Sequence, residues 1–442
     1  MQPFIKLSRS SSSFIAVLAI LTSVITLTSS DAEAVPSFSR QTGAACSQCH
    51  TQSFGPNLTP YGRDFKLSGY TRGGASGTAA KLPPVSGMVV GSFTNTDQNQ
   101  NPAPNPDYNR NNNLTFDEAS LFYAGRIYGK VGAFSQLTFN GVADVLEMDN
   151  TDIRFADQAE IMDTPITYGI TLNNNPTVQD LWNTTPVWGF PFVGTELQPA
   201  PGTAAIIDGA LGSQVGGAMA YAMINNLVYV EAGAYDSFST SFQRSFGIPA
   251  EERIKLDGPA PYWRVALQKD WQGHFFTIGH YGMSADLFPG RDSTDGADRY
   301  TDTAFDATYQ YMGNTKHIFE ARTSFIYEDQ NLSPARSSGK NTYLNTFKFN
   351  AAYTYDQTYG VTFGYNKIDG SHDSVIYGNN RPNSEYFTAE LVYVPFGKST
   401  SLMGSFMNLR TSLQYIGYSQ FDNVGHSANA NNTFMINGWL AF

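Results

Sequence analysis

Cysteine is nearly absent from this sequence: there are two, Cys46 and Cys49, three residues apart. Charge is sparse as well, at 15% of residues, and its balance is acidic, −11 overall. No basic patch stands out, which argues against a nucleic-acid partner. Beyond the first thirty or so residues no apolar run approaches the ~20 residues that a membrane-spanning helix needs. No catalytic triad or metal-ligand cluster is visible in the sequence, so a hydrolase or transferase reading has no support. Length alone would allow two or three soluble domains, yet no linker divides the chain after residue 85.

What is present begins with a positive start, Lys6 and Arg9, followed by an uncharged apolar run from Phe14 to Leu27 and the small-residue end Ala32-Glu33-Ala34. That order reads as a cleaved secretory signal over residues 1–34, too short to be an anchor. Aromatics are the abundant class, with 25 Tyr and 31 Phe. Mean hydropathy is −0.28, a value that a barrel with one face in lipid and one in water also averages to.

Both cysteines fall in Cys46-Ser47-Gln48-Cys49-His50, which reads as C-x-x-C-H, the c-type haem attachment sequence. Two thiols on one turn suit the two vinyl groups of one porphyrin, and His50 then ligates the iron from the proximal side. A redox C-x-x-C, a structural disulfide and half a zinc site are the plain alternatives. No βαβ pattern surrounds the motif, and no second Cys/His pair follows it. Residues 35–84 would form a haem segment too short to build an apolar core unaided.

Within that segment Thr59-Pro60 predicts a helix start and Gly69 its stop. Tyr61 and Phe65 share a face that suits a porphyrin, and Arg63 and Lys66 suit its propionates or plain solvent. The segment holds no second iron ligand. Met88 in the first strand, and His280 and Met283 on a later one, are the candidates for the distal position, each of them also readable as an ordinary strand residue, with water as the alternative ligand.

From residue 85 the pattern is period two. Sixteen alternating segments run 86–96, 114–128, 131–141, 151–162, 165–173, 215–224, 227–236, 261–270, 273–284, 303–312, 316–328, 341–355, 358–368, 385–396, 406–419 and 431–442. In 303–312, Phe305, Ala307, Tyr309 and Tyr311 share one face against Asp306, Thr308 and Gln310. Long connections alternate with short ones, the sign of an outer-membrane barrel with its loops outside and its turns in the periplasm. A closing strand ending in Phe442 agrees with this. The expected fold is all-β: a transmembrane outer-membrane β-barrel of about 16 antiparallel strands, residues 85–442, with a small α-helical c-type haem segment plugging the lumen from the periplasmic side.

Enclosed charges of both signs would then face the plug: Glu118, Arg126, Glu231, Arg264, Asp306, Glu320, Arg322, Lys348, Glu390 and Arg410. Asp292, Asp295, Asp298 and Asp302 would gather cations at the loops or simply keep them soluble.

With Ser39 to His50, Tyr61-Gly62-Arg63, Phe65-Lys66 and Gly69-Tyr70 leading into a porin, the chain resembles the fused monohaem cytochrome–porins of iron-oxidising bacteria. The match is most specific over residues 37–70. The resemblance implies oxidation of extracellular Fe(II), with electrons passed to a periplasmic c-type cytochrome or other carrier, and one covalent haem c held by Cys46, Cys49 and His50. The distinctive loop from Asn173 to Pro191 has no counterpart in that pattern. A porin gated or sensed by its haem segment, or exchange with another donor, is the alternative expectation.

Overall fold

A computed structural model describes residues 36–75, 82–248, 253–338, 341–401, 406–425 and 427–442. The predicted signal segment lies outside the described residues. Sixteen strands form the wall. They are β1 (Val85–Thr96), β2 (Asn113–Tyr128), β3 (Val131–Asn140), β4 (Val145–Ile161), β5 (Thr164–Asn173), β6 (Val215–Ile224), β7 (Val228–Ser237) and β8 (Ala260–Trp271), then β9 (His274–Phe288), β10 (Asp298–Tyr311), β11 (His317–Asn331), β12 (Thr342–Tyr355), β13 (Tyr359–Gly370), β14 (Ser384–Tyr393), β15 (Asn408–Gln420) and β16 (Thr433–Ala441). Each pairs antiparallel with its chain neighbours. β1 pairs with both β2 and β16, so the sheet closes on itself and has no free edge. A two-residue strand, Lys255–Leu256, extends the sheet beside the end of β9.

The outer face explains the period-two pattern. Phe305, Phe325 and Phe347 are register partners on three successive strands, all apolar and all exposed. Leu267, Ile278, Phe363, Phe387, Leu413 and Ile436 continue the band. Large side chains left bare in this way fit a lipid-facing belt and no aqueous surface. Near the short turns lies an aromatic girdle, where the His274 ring meets Tyr309 Oη at 2.8 Å and the His317 ring meets Tyr353 Oη at 2.7 Å. Rings with a polar tip suit the boundary between lipid and water.

Several strands outrun their predicted ends, all on the long-loop side: β4 starts at Val145, β9 reaches Phe288, β10 starts at Asp298 and β11 reaches Asn331. Much of this extra length carries polar residues on both faces, which a strand projecting beyond the bilayer can do. Two connections break the alternation. Residues 141–144 make a tight turn among the long loops, and residues 394–407 make a long connection among the short turns.

Two inserts occupy the lumen. The first is the N-terminal segment, with helices α1 (Pro36–Thr42), α2 (Cys46–Cys49) and α3 (Pro60–Leu67). Thr59 caps α3 by accepting from Gly62 N, Pro60 opens it and Gly69, at φ +70°, follows its end, as predicted. This segment sits toward the short-turn end, tied to wall residues near those turns. Thr51 Oγ1 donates to Glu320 at 3.1 Å, Arg63 Nη1 to Gln310 at 2.7 Å, and Asn408 Nδ2 to the Ser53 carbonyl at 2.8 Å. The second insert is the connection 174–214, which folds inward. Its Ile206, Ile207 and Leu211 pack against Met283, Leu287, Ile326 and Leu344, inward residues toward the long-loop end. The two inserts touch: Lys66 Nζ donates to the Val178 carbonyl and to Asn183 Oδ1, both at 2.8 Å.

Candidate functional site

The short helix α2 places Cys46 and Cys49 one turn apart. Cys46 is fully buried, with Asn408 Nδ2 donating to its sulfur at 3.1 Å. Gly62 lets α3 rest directly on the end of α2, since a Cβ there would lie 2.4 Å from the Cys49 carbonyl oxygen. Helix α2 ends at His50, whose N–H bonds back to the Cys46 carbonyl.

The His50 ring Nδ1 lies 3.0 Å from the Asn57 carbonyl oxygen. A carbonyl only accepts, so Nδ1 carries the proton and Nε2 keeps its lone pair. Burial brings the imidazole down to about 4, against the opposing pull of the Asn57 bond, and so keeps it neutral near pH 7.

Cys49 and His50 line a cavity of about 380 Å³, within the range of cofactor sites. Its wall comes from three sources. The plug gives Phe38, Phe54 and Phe65, the barrel gives Met88, Phe122, Phe134 and Trp439, and the inward loop gives Trp188 and Phe192. The polar part of the lining includes Lys66, Glu118, Gln136 and Asp149. Thr138 Oγ1 bridges the two carboxylates, at 3.4 Å from Glu118 and 3.3 Å from Asp149.

Of the predicted site residues, the fold brings Cys49, His50 and Met88 to this one cavity, while Cys46 lies behind its wall against Asn408. It does not bring His280 or Met283 there. His280 faces outward among Trp263 and Phe305, with its Nε2 accepting from Trp263 at 3.0 Å and its Nδ1 donating to the Ala304 carbonyl at 3.0 Å. Met283 faces inward, in the apolar cluster around the loop residue Ile207.

Phe65 lines the cavity, but Tyr61 does not. It points into a separate hollow beside Asp64 and Glu160 and is 41% exposed. Arg63 is engaged by the Leu58 carbonyl and Gln310, with its guanidinium 3.4 Å from the Phe275 ring centre. Lys66 does reach the cavity, though its ammonium is tied to the loop, and burial, then Arg154, bring it down to about 7.

Seven of the enclosed charges are paired, while Glu118 meets only neutral donors such as Gln136 at 2.9 Å and the buried Glu231 carboxylate has no hydrogen-bond partner among the described residues. Arg410 forks onto Glu390 at 2.9 and 2.7 Å, Arg322 lies 3.4 Å from Glu320, and Lys348 holds Asp208 at 2.6 Å. Arg264 bridges Asp306 at 2.8 Å and the loop's Asp180 at 3.3 Å. Arg126 departs from expectation: it is exposed near the short turns and grips the Thr71 carbonyl. The loop acids also differ from an open cation trap. Asp292 caps Thr294, Asp298 pairs with Arg336 at 2.9 Å, and Asp302 is buried, accepting from Ile207 N at 2.8 Å.

The sequence did not reveal Trp188, Phe192 and Trp439 as wall residues. Their aromatic identity was visible, but no periodicity marks the inward turn of the loop that carries Trp188 and Phe192, and the alternation that puts Trp439 on the lumen face does not say what it meets there.

No protein-family model matches the chain, and no curated protein matches it. Among solved structures it is similar to an anion-selective porin from Comamonas acidovorans, with 12% identity, 81% of this chain and 98% of that one covered, and a TM-score of 0.45. It is also similar to Salmonella typhi OmpF in complex with daunomycin, at 12% identity, 81% and 97% coverage and a TM-score of 0.46. The outer membrane channel DcaP of Acinetobacter baumannii gives 10% identity, 81% and 96% coverage, and a TM-score of 0.46.

Proposed function

We propose that this protein transfers electrons across the bacterial outer membrane through one covalent haem c, taking them from extracellular Fe(II) and giving them to a periplasmic c-type cytochrome or other carrier. The observation that carries the reading is a C-x-x-C-H motif whose Cys49 and His50 lie at the edge of a largely apolar cavity, with the imidazole held as the Nε2-free tautomer. In this reading Cys46 and Cys49 would hold the haem through thioethers and His50 would ligate its iron. Its hydrogen bond to Asn57 would fix the ring and strengthen its donation. A haem c supplies one reversible electron at its iron, which matches a one-electron donor such as Fe(II).

The remaining residues have plainer tasks. Phe38, Phe65, Phe134 and Trp188 exclude water from the site. The carboxylates of Glu118 and Asp149 place hard oxygen atoms on its wall, the chemistry that suits a ferrous ion. With the short turns in the periplasm, the plug lies on the side from which a periplasmic carrier would collect the electron. A solute channel fits the barrel architecture too, but the described plug and the inward loop both occupy the lumen it would use.

The test is anaerobic addition of Fe(II) to the oxidised, detergent-purified protein while the haem spectrum is recorded. Prompt reduction supports the reading. Reduction by dithionite but not by Fe(II) removes iron as the donor and leaves the haem. A chain that carries no covalent haem after denaturation removes the whole reading, and a Cys46→Ala/Cys49→Ala variant is the control for that measurement.

A further inference from the structure

The segment 36–75 holds His50 but no second histidine and no methionine, so a distal ligand of either kind must come from outside it. We propose that Met88 of β1 is that ligand, through its thioether sulfur, and that the Trp439 indole N–H positions and tunes it. This rests on the haem reading above.

Among the described residues lining the cavity, His50 is the one histidine and Met88 the one methionine. Other wall residues carry lone pairs that iron could accept and are engaged elsewhere: Glu118 accepts from Gln136 at 2.9 Å and Asp149 from Asn150 N at 2.8 Å. Tyr70 Oη donates to Asp152 at 2.6 Å, and Lys66 Nζ is held by the inward loop. Met88 is buried and sits on a strand locked on both sides, opposite Ser120 of β2 and Ala441 of β16. A ligand on such an element is placed by the wall rather than by a loop.

Trp439 Nε1 donates to Met88 Sδ at 3.0 Å. A thioether sulfur has two lone pairs, so one remains for a metal. The Trp439 ring in turn meets Phe54 edge-on, at 4.6 Å between centres. Phe54 lies four residues after His50, so the contact that seats the plug also sets the orientation of Met88. A hydrogen bond to the sulfur withdraws electron density from it. That disfavours the ferric state more than the ferrous and raises the potential.

The experiment compares wild type, Met88→Leu, Met88→His and Trp439→Phe, all full-length and purified in detergent. Covalent haem is measured after denaturation, and barrel folding by heat-modifiable gel migration. The ferric wild type should show the sulfur-to-iron charge-transfer band, and the ferrous form an upfield-shifted methionine methyl in its proton spectrum. Met88→Leu should lose both with its haem content unchanged, and its potential should fall. Met88→His should give a bis-imidazole spectrum. Trp439→Phe should keep the band with a lowered potential.

A haem-bearing wild type without the band or the shifted methyl overturns the assignment, and neither signal requires a variant to fold. Unchanged signals in Met88→Leu overturn it as well. An unaltered potential in Trp439→Phe removes the tuning role. A wild type with no covalent haem fails at the earlier step and takes this inference with it, so the two failures are told apart.

Discussion

At the scale of single residues, the site depends on how closely α3 approaches α2. The decisive position is Gly62, where an added Cβ would sit 2.4 Å from the Cys49 carbonyl oxygen and 3.2 Å from its carbon. Both are backbone atoms at the end of a one-turn helix, so neither can swing aside as a flexible side chain would. Gly62→Ala should therefore push α3 away from the C-x-x-C-H turn, at a cost of about 2 kcal/mol, the usual range for overpacking. With the proposed haem in place, the expected result is less covalent haem per barrel and a disturbed His50 environment, read by denaturing-gel haem stain and by the ferric spectrum. Unchanged haem content and spectrum would show that the contact is not needed. The sequence revealed part of this. The motif and the Thr59-Pro60 start were readable because attachment chemistry and capping use fixed residue types at fixed spacings. The separation of Phe65 from Tyr61 was not, because two residues on one helical face can still reach different hollows once α3 lies between two walls.

At the scale of elements, the connection 174–214 behaves as a second insert rather than a surface loop. Asp180 anchors it. Its carboxylate faces Arg264 at 3.3 Å and accepts from the backbone N–H groups of Trp182, Thr184 and Thr185 at 3.2, 2.8 and 3.1 Å. Burial pushes Asp180 up, but Arg264 and Lys66 outweigh it and hold the carboxyl below its ordinary value of 3.8. A depressed folded-state value means that the unfolded loop binds the proton more readily. The loop's docking is then at full strength above pH 3.8 and is lost as the pH falls below that value, through the folded-state value. Limited proteolysis across that range should show cleavage within 174–214 appearing only on the acid side. Asp180→Asn should bring the same cleavage at neutral pH, since breaking a buried ion pair from one side costs roughly 3 kcal/mol; continued resistance would assign the anchoring to other groups. The wall strands were legible because lipid on one side and packed lumen on the other force apolar and polar residues to alternate. Where strands leave the bilayer, as in Val145–Asn150 and Asp298–Asp302, that asymmetry ends and so did the signal. The inward course of 174–214 left no period to read, because its buried residues meet irregular neighbours from the plug and from several strands.

At the scale of the whole molecule, the question is what keeps a sixteen-stranded barrel from being an open pore, since walls of that size leave a water-filled channel when nothing fills them. The plug fills the short-turn end and the loop the other, and each is held by the wall through its own bonds. Without the plug, the loop would lose Lys66 and the Asn183–Pro56 link. It would keep Asp180 on Arg264, Asp208 on Lys348 at 2.6 Å, and the N–H groups of Ile206 and Ile207 on Glu328 and Asp302 at 2.5 and 2.8 Å. It would also keep the apolar contact of Ile206, Ile207 and Leu211 with Met283, Leu287 and Ile326. Two closures in series give a specific result in planar bilayers. Wild type should conduct little. Deleting residues 36–75 should raise conductance only modestly, because the loop still closes the far end. Replacing 176–212 with a short turn should also have a modest effect, because the plug remains. Removing both should give porin-like conductance, far above the sum of the single deletions. Full conductance on loss of the plug alone would mean that the loop is a mobile gate rather than a fixed insert, and that only the N-terminal segment separates the two sides of the membrane.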